Sequence, residues 1–142
     1  MATELEVANR EATQRIWEII ESGNLEDLRE VLHDDVVLRV PGKEEMQGIE
    51  AYTEYIETFG GAFPDTTFEV HDLFVDGETV ITHFTWRGTH EAEFEGIEPT
   101  GESVAVTGMT INRFQDGKAV EDINIWDNLS FYEQLGLMES PG

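Results

Sequence analysis

The chain contains no cysteine, which removes disulfides, thiolate metal sites and a cysteine nucleophile in one step. Lysine is almost as scarce. Among 142 residues only Lys43 and Lys118 are lysines, and eight basic residues of both kinds stand against 31 acidic ones. A net charge of −23 repels nucleic acid and anionic membrane surfaces, so neither is expected as a partner. No segment approaches the length of an apolar membrane span, and the opening MATELEVANREAT lacks the basic and apolar regions of a signal peptide, so a cytoplasmic location is expected. The four histidines, His33, His71, His83 and His90, show no H-x-x-x-H or H-E-x-x-H spacing, and no metal site is expected. There is no G-x-S-x-G elbow and no Gly-rich phosphate loop, so a nucleotide is not expected either.

What is abundant is acid, spread along the whole chain rather than gathered in a tail. Even spread with little lysine resembles the surface of a protein from a salt-loving organism, where dissolved ions screen the self-repulsion. The hydrophobic fraction is only 39%, yet eight phenylalanines, three tyrosines and three tryptophans fall on regular apolar periods, which argues for a globular chain. The length suits one domain, residues 1–142, able to bury a core without staples.

Leu5, Ala8, Ala12, Ile16, Ile19 and Ile20 make one helical stripe over Thr3–Ser22, stopped by Gly23. Asn24 can cap a second, shorter helix over Leu25–Leu32. His33, at its C-terminal end, suits a structural role. Val36–Val40 is a β-branched run closed by Pro41-Gly42, hence a strand and a turn. Helical spacing returns over Ile49–Phe59, where Tyr52, Tyr55 or Phe59 either pack in the core or line a cavity. Gly60-Gly61 and Pro64-Asp65 read as its exit loop. Four strands follow, Thr67–Val75, Thr79–Thr89, Ser103–Phe114 and Ala119–Trp126, with Asp76-Gly77 and Asp116-Gly117 marking two hairpins of an antiparallel meander. The alternation slips near His71–Leu73, which predicts a bulge and a bent sheet. The fold class is α+β, with helices packed on a strongly curved antiparallel sheet and a pocket between them.

The last strand alternates Asp122 and Asn124 with Ile123 and Ile125, so one of its faces is polar. It ends at Trp126-Asp127, before a short helix Asn128–Leu135 stopped by Gly136. Asp127 either caps that helix or is a carboxylate of raised pKa that moves protons.

The segments GTHEAEFEGIEPTGESVAVTG from Gly88 and INRFQDGKAVEDINIWDNLSFYEQLG ending at Gly136 resemble the SnoaL-like polyketide cyclase (ester cyclase) family, in which a GTH…PTG segment, an R…DGK hairpin and a W-D…QLG ending recur in this order. The resemblance implies the cone-shaped α+β barrel shared with ketosteroid isomerases and nuclear transport factor, commonly dimeric, and acid–base chemistry without metal or cofactor. Members often carry a histidine on the penultimate strand just before the aliphatic residue leading to its arginine; this chain has Thr110 there.

On that resemblance the ligand is a small apolar carbonyl compound, and the reaction an aldol-type cyclisation or isomerisation by proton transfer. Asp127 would be the base, His90 or Asn124 would serve the enolate oxygen, and Trp17, Tyr52, Phe59, Trp86 and Trp126 would form apolar walls. The same fold also hosts non-enzymatic binding or dimerisation modules, and epoxide hydrolases, for which Arg87 or Arg113 with Asp122 and Asp127 could activate a water. A bent sheet leaves apolar residues such as Ile81 and Ile111 on its outer face, so a homodimer is expected.

Overall fold

The structure, a computed structural model, describes residues 1–137; residues 138–142 of the expected domain lie outside it. Helix α1 spans Glu4–Ser22 and opens with a capping box, in which Glu6 N donates to Thr3 Oγ1 (3.1 Å) and Thr3 N to Glu6 Oε1 (3.0 Å). Its end is the expected one: Gly23 takes φ 82° and its N–H returns to Ile19 O. A 3-10 helix, Leu25–Glu30, leads into β1, Leu32–Arg39. That strand starts four residues before the β-branched run because Leu32 and Val36 are both buried in the core, the register shifting between Leu32 and Val37.

A two-residue strand β2, Met46–Gln47, was not legible in the sequence; it precedes α2, Ile49–Ala62. The expected end of α2 at Phe59 is overrun. Gly60-Gly61 stay helical because Ala62 and Phe63 are buried at 1% and 0% exposure, and their packing outweighs the glycine penalty of about 1 kcal/mol per residue. Strands β3 (Thr67–Asp76), β4 (Thr79–Thr89), β5 (Ser103–Gln115) and β6 (Lys118–Trp126) form the meander, followed by α3, Asn128–Gln134. The bulge falls as expected between Val70 and Asp72, and Asp116-Gly117 both take positive φ in the β5–β6 turn.

The sheet has the order β2-β1-β6-β5-β4-β3 and remains open. All pairs are antiparallel except β1 with β6, which is parallel and needs the intervening helix and hairpins as its crossover. Two cores fill the concavity. Ile16, Ile19, Leu32, Val36 and Phe114 gather beneath α1 and α2, whereas Phe63, Trp86, Phe94 and Phe131 form an aromatic core toward α3.

Candidate active site

Strand β6 is amphipathic in an inverted sense. Asp122 is 4% exposed and faces inward, whereas Ile125 is 51% exposed and faces out. The neighbouring strand supplies matching inward polar residues: Asn112 pairs with Asp122, and Thr110 with Asn124. One strand further, Thr82 pairs with Thr110. Thr82, Thr110 and Asn112 are all buried, so a polar stripe crosses three strands inside the cone.

Much of its hydrogen-bonding capacity is unused. Thr110 Oγ1, Asn112 Nδ2, Asp122 Oδ1 and Asn124 Oδ1 are buried with no partner, a concentration of unmet polar atoms that folding alone would disfavour. Two contacts fix the stripe from the helices. The Tyr52 hydroxyl donates to Asp122 Oδ2 over 2.8 Å, and Trp17 Nε1 donates to Thr82 Oγ1 over 3.3 Å. Burial lifts the Asp122 pKa to about 6, against the opposite pull of the Tyr52 hydrogen bond and the Asn112 amide. The amide acts through its dipole, because Asn112 Nδ2 completes no hydrogen bond. Tyr52 itself, buried and beside that carboxyl, is held well above the ordinary phenol range and so remains a donor.

Next to the stripe lies a cavity of about 80 Å³ lined by Tyr55, Phe59, Phe84, Trp86, Asn124 and Trp126, among others. It exceeds the roughly 10–15 Å³ that one water needs. Asn124 forms its polar wall, and Asp122 stands one inward-facing position behind it, roughly 7 Å along the strand. Gly108 permits this geometry: a Cβ there would come within 2.7 Å of Trp126 Cβ and 3.1 Å of the Phe84 ring.

Of the candidate walls, Phe59, Trp86 and Trp126 line the cavity. Trp17 packs against Phe68 and Phe84, with ring centroids 4.8 and 5.0 Å away, and Tyr52 positions Asp122 rather than lining the cavity. Of the candidate acid–base groups, only Asn124 is brought to it. Asp127 follows inward-facing Trp126 by one residue, so the strand alternation turns it outward. It is exposed, and its Oδ1 caps α3 by accepting from Ser130 N (3.0 Å). Its neighbours in the groove on the outer sheet face include Ile81, Met109 and Ile125.

His90 is wholly buried and does not line the cavity, and its Nε2 has no partner among the described residues. Thr100 N donates to its Nδ1 at 3.1 Å, its own N–H donates to Glu102 O and its carbonyl accepts from Gly101 N. It staples the 91–102 loop beside Phe63, whose ring stacks on it at 5.3 Å. Arg87 and Arg113 are exposed and held by Glu69 and Glu121, and neither lines the cavity beside Asn124.

Asn112, Thr110 and Tyr52's contact with Asp122 were missed as a unit. The available signal was polar residues in the inward phase of β5, between Val106 and Phe114.

A curved open sheet with helices closing an apolar cavity beside a polar stripe defines an α+β cone. The chain belongs to the SnoaL-like polyketide cyclase family, which matches residues 10–135. Among solved structures it is similar to IdmH, a proposed polyketide cyclase from Streptomyces antibioticus, at 32% identity and a TM-score of 0.79 over 90% of this chain and 98% of that one. It is also similar to a proposed SnoaL-like polyketide cyclase from Jannaschia sp. CCS1, at 20% identity and a TM-score of 0.91 over 97% and 98% of the two chains. An LEH-like epoxide hydrolase from M. tuberculosis shares the fold at 16% identity and a TM-score of 0.72, covering 92% and 90%. A comparison with curated proteins gives no match.

Proposed function

We propose that the protein catalyses proton transfer on a small apolar carbonyl compound, with Asp122 as the acid–base group. The observation that carries this reading is a buried carboxyl of pKa about 6 whose own Oδ1 is unpartnered and which has three further unpartnered polar atoms, of Thr110, Asn112 and Asn124, on its own and the adjacent strand. A base poised near neutral pH removes a proton from a carbon between two carbonyls, through water beside Asn124. The C–H electron pair moves into the enolate oxygen, for which the Asn124 amide on the cavity wall would be the hydrogen-bond donor, with Asn112 and Thr110 behind it in the polar stripe. In a cyclisation the enolate carbon attacks a second carbonyl, forming the C–C bond, and the resulting alkoxide takes the proton back from Asp122. In an isomerisation the proton returns to a different carbon. Asp127, outside the cavity, keeps the capping role in this scheme.

Deuterium exchange from solvent into a β-dicarbonyl compound tests the proposal. Wild type should exchange the central C–H faster than buffer, and Asp122→Asn should lose roughly 10²–10⁴-fold. A binding module of the same fold would give buffer-rate exchange in both.

We further propose that the protein is a cytoplasmic homodimer joined through the outer sheet face. Met109 and Ile125 are 48% and 51% exposed there, beside Ile81 and Ile111 in one apolar groove, which favours burial against a second copy. None of the described helices is long and apolar enough to cross a membrane. Sedimentation at molar salt should give about twice the 16.1 kDa chain mass; a 16.1 kDa species alone would remove the dimer.

A further inference from the structure

The space beneath α2 is divided in two. Tyr55, Phe59 and Trp126 line both the cavity beside Asn124 and a second one of about 190 Å³ toward α3, whose other walls include Pro41, Lys43 and Glu95. The divider consists of half-buried aromatic side chains, Phe59 lying edge-on at 5.3 Å from Tyr55 and 5.4 Å from Trp126. Such rings can be re-aimed by rotation about χ1 and χ2 without moving backbone.

Among the described residues Lys43 is the one basic side chain lining either cavity, in a chain of net charge −23. Glu95 holds it from the loop after β4, at 3.0 Å. The way Glu95 gets there is unusual. Phe94 and Ile97 exchange backbone hydrogen bonds of 3.0 and 2.8 Å around a two-residue turn in which Glu95 has φ 47° and Gly96 φ 85°. The first position of such a turn favours Asn, Asp or Gly, and another residue with positive φ is conformationally costly. Glutamate has over those residues the reach to meet Lys43 on the cavity wall. Strain of this kind persists where the surroundings use it.

We propose that the second cavity is a subsite for an acidic group on the ligand, with Lys43 as its cation and Glu95 as a placeholder that yields the cation when the ligand arrives. This rests on the reading of the Asn124 cavity as the reaction site. The Lys43 and Glu95 side chains are 41% and 36% exposed, and a pair that open to solvent contributes little, so exchanging Glu95 for a ligand carboxylate or phenolate is nearly free. Elsewhere on the molecule the prevailing negative charge disfavours an anion; at this cavity Lys43 supplies a positive charge that Glu95 balances until the ligand takes its place. A ligand spanning both cavities therefore has a carbonyl-flanked carbon at the Asn124 end, a planar apolar middle against Phe59 and Trp126, and an acidic substituent at the Lys43 end.

The test is titration calorimetry with hydroxynaphthoate and its methyl ester at one fixed salt concentration. Wild type should bind the acid more tightly than the ester. Lys43→Gln should weaken the acid roughly fivefold to tenfold and leave the ester unchanged, and Glu95→Gln should strengthen the acid by removing its competitor. Lys118→Gln deletes the same charge at the start of β6 and should leave both unchanged. Equal binding of acid and ester by wild type, no binding of either, or an equal loss of both in Lys43→Gln would overturn the subsite. Those outcomes leave the proton-transfer reading standing wherever Asp122-dependent exchange is still observed, and loss of that exchange with the Lys43 effect intact would mark a binding site without the chemistry.

Discussion

The Tyr52 hydroxyl on α2 donates to Asp122 Oδ2 on β6 over 2.8 Å, with both residues buried. One oxygen of the carboxyl is thus anchored while Oδ1 has no partner among the described residues, as the base proposed above requires. Tyr52→Phe should raise the Asp122 pKa above its present value of about 6, because the lost hydrogen bond now favours the carboxylate. The acidic limb of the exchange profile should move to higher pH, and stability at neutral pH should fall by about 1–3 kcal/mol. An unmoved limb would mean that Tyr52 does not touch the working base.

Asp122 should also cost stability. Its folded-state pKa is raised, so the native protein binds the proton more tightly than the unfolded chain does; stability is full below the unfolded value of about 3.9 and is lost as pH rises through about 6. Asp122→Asn, which still accepts from Tyr52, should be more stable than wild type at pH 7–8, by on the order of 2–3 kcal/mol for a shift of about two units. The gap should narrow as pH falls below about 6 and close below about pH 4. Denaturant melts of both proteins across this range would show it, and a variant less stable than wild type at neutral pH would contradict it.

Asp127→Asn should be nearly silent in both stability and exchange, since asparagine caps a helix about as well as aspartate. Asp127→Ala should cost about 1 kcal/mol and retain exchange. Loss of exchange in Asp127→Asn would restore Asp127 to the chemistry.

The general architecture was legible because helix and strand periods are long and regular here, and because Gly23, Asp116-Gly117 and the phase slip near His71 carry strong local signals. The parallel β1–β6 pairing was not, since no local residue pattern encodes which distant strands meet. The site was half legible. The alternation Asp122-Ile123-Asn124-Ile125 announced a polar face, but only the fold shows that this face points inward and that Asp127, one residue beyond Trp126, points out. The tie of His90 to its loop, through the Thr100 N–H on Nδ1, was not legible, because the sequence does not show which backbone group a buried histidine will meet.

We propose that the excess of acid adapts the protein to high salt. Adding KCl over the molar range should raise the melting temperature, because closely spaced carboxylates repel one another at low ionic strength. A midpoint that does not change with salt would remove the salt-loving reading.

The most direct test of Asp122 as the base is the pH dependence of deuterium exchange into a β-dicarbonyl compound. In wild type the enzyme-dependent rate should rise through an inflection near pH 6 as Asp122 ionises, and Asp122→Asn should stay folded while losing both the inflection and roughly 10²–10⁴-fold of the rate. A wild-type rate indistinguishable from buffer at every pH, or an Asn variant with the same rate and inflection as wild type, would contradict it.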